Sequence, residues 1–403
     1  MKALLLYGFG ISVNVDGRNL VIHNNQNNET LWFQPHQISY NNIFVDGYYG
    51  NVSFEALRWL SKHGITLSLL NWNGNLLSVM LPKEPITGKL KIKQYKAYLD
   101  NVKRYTIAEK IIYKKVDKSY ELLSALSKFY KNVSKNAIDN AFYYERQSYL
   151  RDNGNKSIRN LMAYEGRIAD IYWKTLSKIF YNLYPEFNFR SRKNKSYSQG
   201  MNASDYVNAL LNYGYAILES VIRRDINVIG LDPNIGFLHE ISDSKTPLVY
   251  DLQELYRWLV DLSVIQLLED KKLKKSDFIV TENYHIRLRE SAVKALLDKI
   301  TANFNTKASY KGTVKTYETV LLDNTRVLAN YVRNRHETLS FVIPVHNTNR
   351  TDTMNVRGQI MAITPEERKR LGINKSTLWY RQKAIKEGKR IRLYGSRNGM
   401  IYL

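Results

Sequence analysis

The sequence predicts an α+β multidomain protein, with a small N-terminal β domain over 1–86, a large all-α domain over 87–345 and a C-terminal helix-turn-helix domain over 350–403. Three patterns carry that expectation. Short alternating runs separated by Asp-Gly and Asn-Gly pairs fill the N-terminal part, long stretches with apolar residues at helical spacing follow, and two short helical patterns joined by a glycine lie near the C-terminus.

The opening run MKALLLYGFGISVNVDG passes from apolar residues into alternation, as a first strand does, and its apolar part is too short for a signal peptide. Asp16-Gly17, Asp46-Gly47 and Asn73-Gly74 mark turns between strands up to about Leu81. One helix, Ser53 to Lys62, interrupts them, with Gly64 as its stop. PKEPITGKLK, from Pro82 to Lys91, reads as a linker because its prolines and glycine disfavour regular structure.

From Ile92 to about Arg335 helical patterns dominate, broken by polar loops at Asp152 to Lys156 and Arg190 to Gly200. The long helix Ile158 to Phe180 carries Ile158, Leu161, Met162, Ile168, Ala169, Tyr172, Leu176 and Ile179 on one stripe, and Glu165 falls on it. A carboxylate there is costly unless it is paired or binds a metal; a boundary glutamate that reaches solvent or meets Arg167 fits equally well. After Leu248 the pattern is again helical. Asp251, Glu254, Trp258 and Asp261, spaced three, four and three apart, share a face, and such a stripe is most often a solvated surface.

Near the C-terminus Thr364, followed by Pro365, Glu366 and Glu367, starts a helix that Leu371-Gly372 ends. Asn374 caps a second, which stops at Gly388, and the remainder forms a hairpin around Asn398-Gly399. In a helix-turn-helix the second helix enters the major groove, which makes Ser376, Thr377, Tyr380, Arg381 and Lys383 the candidates for base contacts. Arg390, Arg392 and Arg397 in the hairpin are candidates for phosphate contacts, as are Arg190, Arg192, Lys193 and Lys195 in the loop RSRKNKSYSQG. A solvated mobile loop accounts for that last group equally well, and a small basic αβ domain could instead dock on a protein.

Sixty lysines and arginines against 37 acidic residues give a net +23, so the chain attracts polyanions. From Arg350 to Leu403 alone, thirteen basic and four acidic residues leave +9. The 30 tyrosines and 6 tryptophans offer stacking surfaces, although in a chain of 403 residues most belong to the core. The absence of cysteine excludes disulfides, thiolate ligands and cysteine nucleophiles. With no run of eighteen apolar residues and no G-x-x-x-x-G-K-[ST] loop, the expectation is a cytoplasmic, nucleoid-associated protein with no membrane contact and no nucleotide cofactor.

His239 lies twelve residues before Asp251 and fifteen before Glu254. One imidazole with two carboxylates suits a hard cation, Mg2+ or Mn2+. In a strongly basic chain that combination points to phosphodiester chemistry, although His239 taken alone is more often a structural histidine.

Three stretches, DYVNALLNYGYAILESVIRRDINVIGLDPNIGFLHE from Asp205, PLVYDLQELYR from Pro247 and YEGRIADIYW from Tyr164, resemble the CRISPR spacer-acquisition integrase family. The stretch Val52 to Pro82 is similar to that family's β domain, and the likeness runs from Met1 to Phe341. The resemblance implies that Glu165, His239 and Glu254 hold the catalytic metal, with Asp251 as a supporting acid. Where this chain has Glu254 the family commonly has aspartate, which keeps the ligand type and alters the reach.

The segment beyond Phe341 departs from the family and resembles the helix-turn-helix of casposases, its transposon-encoded relatives. The resemblance then implies a divalent-metal-dependent DNA strand transferase in which the 3′-hydroxyl ends of transposon DNA attack target DNA. Its partners would be double-stranded DNA, transposon ends and target alike, and further copies of itself, as a dimer or a dimer of dimers. A CRISPR spacer-acquisition integrase or endonuclease is the enzymatic alternative, and a non-catalytic DNA-binding regulator the alternative of another class.

Overall fold

The protein is described by a computed structural model over residues 1–151, 156–192, 203, 205–243, 245–282, 285–346, 364–365, 368, 374–386, 392–394 and 400–402. It has an N-terminal β region followed by a mostly helical remainder. Met1–Pro344 form one compact unit and Val345–Leu403 another.

The β region holds two four-stranded sheets. In the first, β1 (Ala3–Tyr7), β5 (Asn42–Asp46), β7 (Thr66–Leu70) and β8 (Leu76–Met80) lie in that order, parallel except for the β7–β8 pair. The second has the order β4 (Glu29–Phe33), β3 (Asn19–Asn24), β2 (Ile11–Asp16), β6 (Gly50–Val52). The two sheets share a core of Leu6, Val13, Leu20, Ile22, Ile43 and Leu67, closed by Trp59 and Leu60 of α1 (Phe54–Lys62). Ser53 caps α1 by accepting from the Ala56 N–H at 3.1 Å.

All of β5 is buried because its opposite face, through Phe44, packs into the helical core. Strands buried on both faces favour parallel pairing, which the turn signals could not reveal. Asp16-Gly17 and Asn73-Gly74 do close hairpins, with glycine φ of +57° and +79°. Asp46-Gly47 does not: it carries the chain from β5 in one sheet to β6 in the other.

The helical part begins earlier than the expected linker allows. Helix α2 runs Gly88–Leu99, so only the proline-containing half of Pro82 to Lys91 is irregular. It is followed by α3 (Asn101–Leu126), α4 (Lys135–Arg151), α5 (Ile158–Leu183), α6 (Tyr206–Ile229), α7 (Pro247–Glu254) and α8 (Arg257–Glu269). Later come α9 (Glu290–Asn305) and α10 (Tyr317–Val332).

This part is not all-α, because two hairpins occur among its described residues. Strands β9 (Phe278–Val280) and β10 (Ile286–Leu288) pair, as do β11 (Lys307–Tyr310) and β12 (Thr313–Thr316). The second turns at Lys311-Gly312 with φ of +48° and +80°, the positive pair that a two-residue hairpin turn requires. In α5 Leu161, Ile168, Tyr172, Leu176 and Ile179 of the expected stripe are buried, Ile158 and Ala169 are half-buried and Met162 is exposed, and Tyr164 and Phe180 complete the buried face.

Helix α6 sits at the centre and is buried on nearly every side. Tyr213 reaches the β region, its hydroxyl donating to the buried Asp46 carboxylate at 3.1 Å, and Ser68 and Ser220 pair at 2.6 Å. Gly214 lets α8 approach, since a Cβ there would stand 2.5 Å from Val260 Cγ1. Both helices carry cleft residues. Gly214→Ala should therefore lower the unfolding free energy by roughly 1–3 kcal/mol through overpacking, as read from the denaturant midpoint at unchanged slope.

In the second unit, Asn374 caps a helix, here α11 (Lys375–Lys386), accepting from the Ser376 N–H at 3.1 Å. Strands β13 (Arg392–Tyr394) and β14 (Met400–Tyr402) pair antiparallel. Of the first expected helix, the Arg368 N–H donates to the Thr364 carbonyl at 2.9 Å, and most of the rest lies outside the described residues.

Candidate active site

Glu165 on α5 and Glu254 at the end of α7 meet at the ammonium of Lys115 from α3. Lys115 ion-pairs with Glu165 Oε1, and its Nζ lies 2.5 Å from Glu254 Oε2. The other oxygen of Glu254 accepts from Arg257 Nη1 at 2.8 Å. Burial alone would push the Glu254 carboxyl up, but Arg257 and Lys115 outweigh it and hold the group down at about 2. Glu165 is thus paired, with a lysine fifty residues upstream rather than with Arg167. Arg167 is taken by Glu145 at 2.6 Å.

Asp251, Glu254, Trp258 and Asp261 are buried, not a solvated face. Nor do they share one helix. At Tyr256 (φ −127°, ψ 0°) the chain leaves helical geometry, ending α7 and starting α8. Tyr256 is itself fully buried, its hydroxyl accepting from Asn324 of α10 at 2.7 Å. Each of the four side chains therefore has its own environment.

Asp251 organises the loop that carries His239. Its Oδ2 accepts from the N–H groups of Phe237 and Leu238 at 2.5 and 3.0 Å, and its Oδ1 from that of His239 at 3.0 Å. The same Oδ1 lies 2.8 Å from His239 Nδ1. An ionised carboxylate only accepts, so Nδ1 carries a proton and Nε2 is the nitrogen left to act as a ligand. Burial works against protonation of the ring, yet the Asp251 hydrogen bond and charge outweigh it and raise the His239 pKa. Gly236 permits the close approach, because a Cβ there would fall 2.9 Å from Asp251 Oδ2 and 2.6 Å from Pro247 Cβ.

A cleft of about 430 Å³ opens beside the two glutamates, walled by Trp173, Tyr215, Arg192 and Arg257. At its base Asp261 accepts from the Tyr215 hydroxyl at 2.5 Å and the Tyr172 hydroxyl at 2.7 Å. Burial raises the Asp261 pKa against those bonds and the nearby arginines. Arg192 is no free arm of the basic loop. It donates to Asn208 and Asn212 at 2.5 and 2.9 Å and lies 5.2 Å from the centre of the Tyr215 ring. The two side-chain amides of α6 draw it into the cleft wall, whereas Arg190 is exposed.

Lys193, Lys195, Arg390 and Arg397 lie outside the described residues, and only the backbone of Arg392 is described. On α11, Ser376, Thr377, Tyr380 and Lys383 are exposed and Arg381 is half-buried. Trp379, which sequence reasoning passed over, is exposed as well, with Lys383 Nζ 5.0 Å from its ring centre.

The donor set fits a divalent cation by its chemistry: two carboxylates and an imidazole whose second nitrogen is fixed by Asp251. Among the described residues no three His, Asp or Glu side chains are drawn together tightly enough to close on an ion. Between the carboxylates stands the Lys115 ammonium. Sequence reasoning missed Lys115 altogether, since nothing distinguishes it among the lysines of α3. Arg257 did carry a signal, three residues after Glu254.

A two-sheet β region on a helical body, with Glu165 and Glu254 lining an arginine-bearing cleft and His239 held on a loop by Asp251, defines a class seen in known proteins. Residues 4–302 match the family model "CRISPR associated protein Cas1". The CRISPR-associated endonuclease Cas1 1 of Francisella tularensis subsp. novicida is 30% identical over 278 residues, 68% of this chain and 81% of that protein. The one from Archaeoglobus fulgidus is 27% identical over 302 residues, 72% and 86% of the respective chains. Among solved structures, a casposase bound to integration product superposes with a TM-score of 0.80 at 36% identity, over 90% of this chain and 99% of that one. A Cas1 protein from Thermotoga maritima shares the fold, with a TM-score of 0.66 at 17% identity over 85% and 99%. The chain belongs to the Cas1 family.

Asp251 supplies four acceptor contacts with two oxygens, and an amide can supply only two of them. Asp251→Asn should cost roughly 2–3 kcal/mol of stability, while His239→Ala, which spares the three backbone bonds, should cost under about 1 kcal/mol. Denaturant unfolding of both variants checks this. Equal losses would mean that the loop is held by the imidazole rather than by the carboxylate.

Proposed function

We propose that this protein is a DNA integrase of the casposase type, joining the 3′-hydroxyl ends of a donor DNA to target DNA by transesterification. The observation that carries the reading is the pairing of Glu165 with Glu254 beside a loop whose His239 is oriented by Asp251, in a chain of this family. Glu165, His239 and Glu254 would hold Mg2+ or Mn2+. Such an ion, when bound, polarises a phosphoryl oxygen and favours ionisation of a bound hydroxyl.

The chain's own side chains do the remaining work. Asp251 keeps Nδ1 of His239 protonated and the ring aimed, and Arg257 keeps Glu254 ionised. The arginine-bearing cleft wall and the net charge of +23 attract the phosphodiester backbone. In the exchange one O–P bond forms to the donor 3′-oxygen as the target's P–O3′ bond breaks, and the departing oxygen takes a proton. The number of phosphodiesters is conserved, so no nucleotide cofactor is needed and no protein nucleophile takes part.

The casposase likeness, at 36% identity and 90% coverage, supports a transposon substrate over the spacer-acquisition reading. Trp379, Tyr380 and Lys383, exposed on a capped helix, support a DNA-reading C-terminal unit. Assembly as a dimer on double-stranded DNA would let two sites serve two donor ends. Among the described residues no helix is long and apolar enough to cross a membrane. The presence of Glu165, His239 and Glu254, with Asp251 behind the imidazole, speaks against a non-catalytic regulator.

Glu165→Ala, His239→Ala and Glu254→Ala should each abolish joining of a labelled donor end in Mn2+, with duplex binding retained because phosphate contacts do not need the ion. Wild-type-like joining by any one of them would overturn the assignment. Duplex affinity should fall by roughly a thousandfold between 50 and 200 mM salt if about six phosphates are neutralised. Deleting residues 350–403 should leave weak joining and remove preference for particular ends. If the deletion keeps that preference, or if joining requires a second protein, the spacer-acquisition reading is the better one.

A further inference from the structure

The two carboxylates of the cleft share a cation supplied by the chain itself. Glu165 is on α5, Glu254 on α7 and Lys115 on α3, so three helices meet at one ammonium. Two carboxylates this close repel one another unless a positive charge stands between them. Arg257 cannot serve both, because it is committed to Glu254 Oε1 at 2.8 Å and packed 4.5 Å from the Tyr215 ring centre. Lys115 instead takes Glu254 Oε2 and Glu165 Oε1, the oxygens through which the carboxylates share a neighbour.

A divalent cation binding both glutamates would compete for those oxygens and repel the ammonium. Lysine is suited to yield, being a point charge on a flexible stem, and Lys115 keeps 19% of its side chain open to solvent. We propose that Lys115 is a built-in counter-ion that holds Glu165 and Glu254 together and that a divalent cation must displace in order to bind them. This rests on the metal reading above and adds a competitor to it. It assigns Lys115 a positioning role, with metal affinity set by the exchange of one cation for another.

The test is calorimetric titration of the full-length protein with MnCl2, without DNA, paired with thermal melts in EDTA and in Mn2+. Lys115→Met should bind Mn2+ at least about tenfold more tightly than wild type, since a like charge is removed and Glu165 Oε1 and Glu254 Oε2 lose the cation they share. It should also melt at a lower temperature in EDTA and gain more from Mn2+ than wild type does. Lys115→Arg, which keeps the charge, should retain the wild-type melting temperature in EDTA and bind Mn2+ no more tightly than wild type. Equal or weaker Mn2+ binding by Lys115→Met, or tighter binding by Lys115→Arg, would overturn the proposal while leaving the metal reading intact. If neither wild type nor Lys115→Met takes up Mn2+, the metal reading itself fails and the proposal goes with it.

Discussion

Compensation of buried negative charge is the constraint around which the helical body is arranged. Glu254 is almost fully buried, and an isolated carboxylate there would be prohibitively costly. It is tolerated because Arg257 and Lys115 each take one of its oxygens. Lys115 in turn takes Glu165, so α3, α5, α7 and α8 are tied to one another through charges that none could bury alone. Asp261 lies one turn further along α8 and is met by two tyrosine hydroxyls, from α5 and α6. The charged groups that line the cleft are therefore held from several directions, which is what a site for a charged substrate requires.

The same economy operates in the loop after α6. Three successive backbone N–H groups converge on the Asp251 carboxylate, so the loop is fixed by its backbone and His239 is aimed as a consequence. Gly236 is needed where the chain passes closest to that carboxylate. The fully buried β5 of the β region packs against the helical core, and Tyr213 on α6 joins the two through Asp46. Because Tyr213, Gly214 and Tyr215 follow one another on α6, this one segment carries the β contact, the close approach of α8 and a wall of the cleft.

Much of this was legible in the linear chain wherever the cause is local. The helix from Ser53 to Lys62, the hairpin at Asp16-Gly17, the long apolar stripe of α5 and the placement of Glu165 on it follow from side chains within a few residues of one another. So does the capping of α11 by Asn374. The spacing of His239, Asp251 and Glu254 marked out the candidate site, and the contacts show what each touches: Asp251 the His239 ring and loop backbone, Glu254 the Lys115 and Arg257 cations.

Length, charge, absence of cysteine and the identity of the acidic and imidazole side chains were determined by the sequence itself as composition, and so were the elements whose signals lie among neighbouring residues, although not the hairpins β9–β10 and β11–β12. The tertiary structure alone decided the parallel order of β1, β5 and β7, the break at Tyr256 and the withdrawal of Arg192 into the cleft wall. It also decided the arrival of Lys115 between Glu165 and Glu254. These depend on contacts between residues tens to hundreds of positions apart, where burial sets what each charge and hydrogen-bonding group must find as a partner, and no pattern along the chain encodes which partner that will be.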